Sequence, residues 1–225
     1  PATIRESIEK SLRRLGTDYI DLYYLHREDP DTPIEVVAET MGRLMTEGKI
    51  RAWGLSEVEE ETMRRANAVC PVAAVQNRYS MMSRYYEKLF PVFQELDIAY
   101  VAYSPLANGL LSGRYKPGTA YDASNDFRAK MPQFKDESFA ENEELFTLIA
   151  NMAEAKGATM GQISLAWMLC KEPWIIPIPS SRKEERLREN LGSTEVFLTV
   201  EEVVSLDAAL DAIPMSDVFS GTGKK

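Results

Sequence analysis

The feature that most constrains the fold is an apolar run that ends in the only histidine of the chain, Ile20-Asp21-Leu22-Tyr23-Tyr24-Leu25-His26-Arg27. Aliphatic and aromatic residues extend almost unbroken from Tyr19 to Leu25, and charge returns at once with Arg27, Glu28 and Asp29. That pattern is expected of a strand buried on both faces, as in a parallel sheet covered by helices. His26 then stands at the carboxyl end of the strand, where the loops of a parallel α/β protein gather ligands. A lone histidine is explained as well by a structural role, its ring nitrogens bonded to backbone carbonyls. The choice turns on whether other strands end in the same way.

Around this strand the chain reads as a series of βα units. Ile4, Ile8, Leu12 and Leu15 predict an opening helix stopped at Gly16, a residue suited to the left-handed cap. Thr32-Pro33-Ile34-Glu35 has the form of a capping box with proline at the first helical position, and Ile34, Val37, Met41, Leu44 and Met45 mark the buried face of the helix that follows. Further strands are predicted at 50–56, 72–76, 98–103 and 174–179, with helices at 59–68 and 90–96 between them. Later helices are marked by Leu145, Leu148, Ile149 and Met152, by Ile163, Ala166, Trp167 and Cys170, and by 181–191. A closing helix over 199–213 opens with the Thr-Val-Glu-Glu of a capping box. Residues 107–140, rich in Gly, Pro, Asn, Asp and Lys, interrupt the rhythm and are expected to form a long loop with little regular structure, either a functional lid or disordered. The tail 214–225 is expected to end in disorder over Gly221-Thr222-Gly223-Lys224-Lys225.

Composition narrows the function classes. A net charge of -9 argues against nonspecific nucleic-acid binding, and no apolar run approaches the roughly 20 residues needed to cross a bilayer. Cys70 and Cys170 lie far apart in no metal-ligand spacing, so no metal site is expected and a cytoplasmic, reducing location is the economical inference.

The strand ends share one character: His26; Ser56; Gln76 and Asn77; Tyr103 and Ser104; Pro179, Ser180, Ser181 and Arg182. Each alone is explained by a cap or turn, and in succession they suit a nicotinamide dinucleotide. Ser56, Gln76 and Asn77 offer partners to a carboxamide, and Tyr103 offers a face to a flat ring. Ser104, Pro105, Leu106, Asn108, Gly109 and Leu111 form a loop whose backbone could approach a pyrophosphate. In an acidic chain, Arg182, Lys183, Arg186 and Arg188 gather in one turn-to-helix segment, with Ser181 and Glu184 spaced as a capping box. That segment suits a phosphate monoester, the 2′-phosphate of NADPH, with Glu189 and Asn190 near the adenine. A solvated helix carrying the Glu184–Arg188 pair is the alternative. Met81, Met82 and Phe127 suit an apolar substrate wall or the core equally well.

The phrases Leu15-Gly16-Thr17-Asp18-Tyr19-Ile20-Asp21-Leu22-Tyr23-Tyr24-Leu25-His26, Glu47-Gly48-Lys49-Ile50-Arg51-Ala52-Trp53-Gly54-Leu55-Ser56, Ala102-Tyr103-Ser104-Pro105-Leu106 and Pro177-Ile178-Pro179-Ser180-Ser181 resemble the aldo-keto reductases, in particular their microbial branch. The resemblance implies a (β/α)8 TIM barrel that binds NADPH in extended form and reduces aldehydes or ketones. It implies His26 as the catalytic histidine, with Ser56 and Gln76 as carboxamide ligands and Tyr103 as the stacking ring. Ser104, Leu106, Gly109 and Leu111 then correspond to the pyrophosphate loop, and Ser181, Arg182, Arg186, Glu189 and Asn190 to the adenosine phosphate site. Arg114 and Arg128 are candidates for closing the loop over the cofactor, while Glu57 departs from the residue usual after that serine. The family's catalytic tyrosine, lysine and aspartate are expected upstream of Pro1, and five strands are counted here rather than eight. The expectation is a barrel domain over 1–225 lacking its first three βα units, whose open edges would be met by a second copy or by a complementing N-terminal segment. A cofactor-sensing regulatory subunit, like the potassium-channel beta subunits of the same fold, is the competing class. A truncated product that acts only by association is a third.

Overall fold

The computed structural model describes residues 1–219, and the expectation of disorder over 221–225 falls outside them. The elements follow in the order α1 (Ala2–Leu15), β1 (Ile20–Leu25), α2 (Ile34–Thr46), β2 (Ile50–Ser56), α3 (Glu60–Val69), β3 (Ala74–Arg78), α4 (Phe90–Glu95), β4 (Ala99–Tyr103), α5 (Asp136–Glu141), α6 (Glu143–Lys156), α7 (Met160–Lys171), β5 (Ile175–Pro177), α8 (Glu184–Leu191) and α9 (Val200–Ala212). The hydrogen-bonded strand order is β1-β2-β3-β4-β5, sequential as in a βα barrel. β1 pairs parallel with β2, and β2 parallel with β3, in the register Tyr24↔Gly54↔Ala74. The sheet is not closed among the described residues.

The chain divides into two compact units. The first, Pro1–Asn77 with Glu87–Val101, holds α1 to α4 with the strands between them. Its core is built on Ile8, Met41, Leu44, Trp53, Leu55, Met63 and Phe93, all essentially inaccessible to solvent, with Phe93 edge-on to Tyr100 at 4.9 Å. The second, Arg78–Tyr86 with Ala102 onward, centres on Trp167 of α7. Trp167 stacks on Tyr79 at 5.3 Å, and its indole N–H donates to Asp207 of α9 at 2.9 Å. Within this unit β5 lies along the end of β4, the Ile178 amide donating to the Ala102 carbonyl at 3.0 Å.

Several expectations are corrected. β1 is half-exposed along its length rather than buried on both faces, because it is the end strand of the order and pairs only with β2 among the described residues. The third strand begins at Ala74, since the Val72 amide is taken by the Asn67 side chain at 2.8 Å. The boxes expected at Thr32 and Ser181 are not formed: the Thr32 hydroxyl donates to Asp29 at 2.8 Å, and the Ser181 hydroxyl accepts from the Lys183 amide at 3.1 Å. The box at Thr199–Glu202 is formed, and a second, not expected above although Thr159-Met160-Gly161-Gln162 has the right spacing, joins Thr159 to Gln162. Residues 107–140 are not one featureless loop. They carry three short 3-10 turns, Ala107–Ser112, Phe127–Lys130 and Pro132–Phe134, followed by α5.

Candidate functional site

In the first unit His26 follows the end of β1 and Ser56 ends β2, whereas Gln76, expected at a strand end, lies in the middle of β3 in register with Ser56, because β3 runs on to Arg78. His26 is exposed, and its imidazole makes no hydrogen bond among the described residues, which leaves both ring nitrogens open to a ligand. Ser56 is buried and accepts from Arg27 Nη1 at 3.0 Å, while the same nitrogen donates to the His26 carbonyl at 2.5 Å. A guanidinium accepts no hydrogen bond, so the Ser56 hydroxyl proton must be directed elsewhere. Gln76 and Tyr24 are joined through their side chains, and burial raises the Tyr24 phenol above its ordinary value. Asn77 is committed to structure. It is fully buried, and its Oδ1 accepts from the Glu57 amide at 2.8 Å, which holds that residue at φ 58° just beyond Ser56.

In the second unit a cavity of about 480 Å³ opens where the segments following β4 and β5 meet. Of the residues singled out above, Ser104, Pro105, Leu106, Asn108, Gly109, Arg114, Arg128, Pro179, Ser180, Ser181, Arg182, Arg186, Glu189 and Asn190 all line it. Leu111 does not; its side chain is fully buried in the core. Tyr103 lies half-buried at the end of β4 and is not among the lining residues. Met81 is core, at 1% exposure, whereas Phe127 lines the cavity.

The loop after β4 owes its shape to four residues in the left-handed region, Ser104 (φ 51°), Ala107 (48°), Asn108 (60°) and Gly109 (101°). Such turns aim consecutive amides toward one side, the geometry of an anion nest. At Gly109 a Cβ would sit 3.2 Å from the Tyr115 ring, so both the backbone conformation and the space favour glycine. Tyr115, Asp126 and Met131 also line the cavity and were not singled out in the sequence. Tyr115 and Asp126 stand beside Arg114 and Arg128, whose charge was the signal in these two phrases.

Electrostatically the cavity opposes the acidic chain, with Arg114, Arg128, Arg182, Lys183 and Arg186 set against Asp126 and Glu189. Arg114 is paired with Glu189. Arg128 is held by Asp126 through Nε at 2.8 Å, bonds the Tyr115 hydroxyl, and lies over the Tyr115 and Tyr121 rings at 4.8 and 5.6 Å. That bond, with the nearby charges, holds the Asp126 carboxyl below its ordinary range. Arg186 differs: its Nε is buried and has no hydrogen-bond partner among the described residues. A buried unpaired guanidinium nitrogen is costly unless a ligand completes it, and a phosphate is the group whose geometry suits it best. The residues present therefore fit the phosphates of a dinucleotide. No group of three or more His, Cys, Asp or Glu side chains is placed to hold a metal ion among the described residues.

Known proteins agree with this architecture. The model of the aldo/keto reductase family matches residues 1–211. An aldo-keto reductase of Schizosaccharomyces pombe named for NADP(+) is 41% identical over 215 residues, covering 94% of this chain and 63% of its own length. The solved glycerol dehydrogenase of Gluconobacter oxydans superposes with a TM-score of 0.87 at 30% identity, covering 97% of this chain and 68% of its own. An aldo-keto reductase of Klebsiella pneumoniae solved with NADPH superposes with a TM-score of 0.70 at 32% identity, covering 91% and 63%. The chain belongs to the aldo/keto reductase family. It spans less than two thirds of the length of the curated relatives it matches. No helix among the described residues is long and apolar enough to cross a membrane.

Proposed function

We propose that the chain is the cofactor-binding part of an NADPH-dependent oxidoreductase that reduces aldehyde or ketone carbonyls to alcohols. The observation that carries this reading is the cationic cavity of the second unit, with Arg186 Nε buried and unsatisfied at its wall. In this proposal Ser181, Arg182 and Arg186 take the 2′-phosphate, with Glu189 and Asn190 at the adenine. The loop from Ser104 to Leu111 takes the pyrophosphate. Arg114 and Arg128 close over it through their pairs with Glu189 and Asp126. Ser56 and Gln76 hold the carboxamide, Ser56 as donor because Arg27 occupies its acceptor side, and Tyr103 gives its ring face to the nicotinamide.

NADPH, when bound, supplies the hydride. His26 then donates a hydrogen bond to the carbonyl oxygen as negative charge builds there, which orients the substrate and lowers the barrier. A general acid is worth roughly 10²–10⁴ in rate, and the resemblance assigns that part to a tyrosine, with its lysine and aspartate, outside residues 1–225.

Arg186→Ala tests the proposal. It should weaken NADPH binding by about 1.5–3 kcal/mol through loss of a charge-assisted bond and leave NADH binding nearly unchanged, as measured by calorimetry. Equal weakening of both cofactors would show that Arg186 does not read the 2′-phosphate. A regulatory subunit of the same fold would pass this test and yet turn over no carbonyl, so NADPH oxidation against a panel of aldehydes separates the two.

A further inference from the structure

We infer that the carboxyl-terminal segment 214–219 sets the shape of the anion-binding loop, and that Gln133 is the positioning residue through which it does so. Gln133 is fully buried yet lies in a short 3-10 turn, and its amide faces two ways. Its Oε1 accepts from the Phe219 amide at 2.9 Å, and its Nε2 donates to Asn108 Oδ1 at 3.2 Å. Asn108 in turn is one of the left-handed residues of the loop, and its Nδ2 reaches Ser104 Oγ at 3.5 Å. Both Ser104 and Asn108 line the cavity. A continuous run of side-chain hydrogen bonds thus leads from the backbone of Phe219 to the loop.

The segment is fastened at two places. Ser216 and Asn142, both buried, exchange a pair of bonds: Ser216 N donates to Asn142 Oδ1 at 3.0 Å, and Asn142 Nδ2 donates to Ser216 Oγ at 2.8 Å. Farther on, the Phe219 ring sits edge-on to Phe127 at 5.1 Å, and the Phe219 carbonyl accepts from Arg78. Phe127 lines the same cavity. A left-handed Asn108 is a strained choice for the backbone, and it persists where surrounding bonds over-determine it. Removing the Ser216 hydroxyl takes away one of the two bonds of this fastening and leaves the other, from the Ser216 amide, in place, which loosens the segment at a distance with no change to any residue of the cavity.

The inference rests on the reading of this cavity as the NADPH site, and the test separates the two. NADPH is titrated by fluorescence into the wild type, Gln133→Ala, Ser216→Ala and the double variant. Each single change should raise Kd by roughly 2- to 10-fold, the worth of one or two hydrogen bonds. The double should bind no more weakly than Gln133→Ala, because Ser216 acts through Gln133. A wild type that does not bind NADPH overturns the functional reading and this inference with it. Wild-type binding with an unaffected Ser216→Ala, or with single effects that multiply, overturns the inference alone. Amide exchange over residues 104–111 in Ser216→Ala keeps the test independent of whether the Gln133 variants fold. Faster exchange is expected, and exchange equal to wild type overturns the link.

Discussion

Gly54 lies in the middle of β2, and a methyl group there would stand 2.5 Å from the Tyr24 ring and 2.7 Å from the Ala74 carbonyl oxygen. The backbone oxygen cannot swing aside as a side chain can, so Gly54→Ala should destabilise the fold by roughly 1–3 kcal/mol, read as a lower urea midpoint. A midpoint within experimental error of wild type would show that the β2–β3 pairing gives way easily. Residues at this scale were only partly legible in the sequence. The polar tips of the strands were visible as a set, and most of those after β4 and β5 do line one cavity. What a polar tip does with its hydrogen bonds was not visible. Asn77 reads like Gln76 beside it, yet its side chain is occupied with the Glu57 backbone. Leu111 reads as part of a binding loop, yet its side chain belongs to the core.

At the scale of the element, helix starts show how a local pattern succeeds or fails. At α9 both halves of the box are made, Thr199 Oγ1 accepting from the Glu202 amide at 3.2 Å and Glu202 accepting from the Thr199 amide at 2.8 Å. Thr199→Ala should therefore cost about 1 kcal/mol, measured as a shift of the thermal or urea transition, and Thr199→Ser should restore most of it. The same letters at Thr32 and Ser181 form no box, because the helices start one and two residues too late for it, with Pro33 and Lys183 at the N-cap, and the hydroxyls bond Asp29 and the Lys183 amide instead. Spacing fixes which residues could meet, and competition among neighbouring donors and acceptors decides which do. Strand limits shift for the same reason, as at Val72, whose amide is claimed by Asn67.

Over the whole molecule, the sequential strands were legible because hydrophobic period and Gly/Pro punctuation are local signals, whereas the half-exposure of β1 depends on which strands flank it. The stability of the fold should also depend on pH. The carboxyls of Glu9, Glu35, Glu47, Glu95 and Glu202 all lie below their ordinary range, chiefly through hydrogen bonds to Lys49, Arg65, Arg5, Arg64 and Lys156. In acid the unfolded chain takes up protons first, so this contribution is present above about pH 4.3 and disappears as pH falls through the lowered folded values. The melting temperature should fall between about pH 5 and pH 3, and a flat profile across that window would show that these pairs add nothing to the folded state. The cationic cavity has its own large-scale consequence in a chain of net charge -9. At long range such a body repels a polyanion, and the pull of the arginines is screened beyond about 8 Å at physiological ionic strength. Discrimination among anions is thus made after arrival, by fit to a fixed array of donors, and owes little to the speed of the approach.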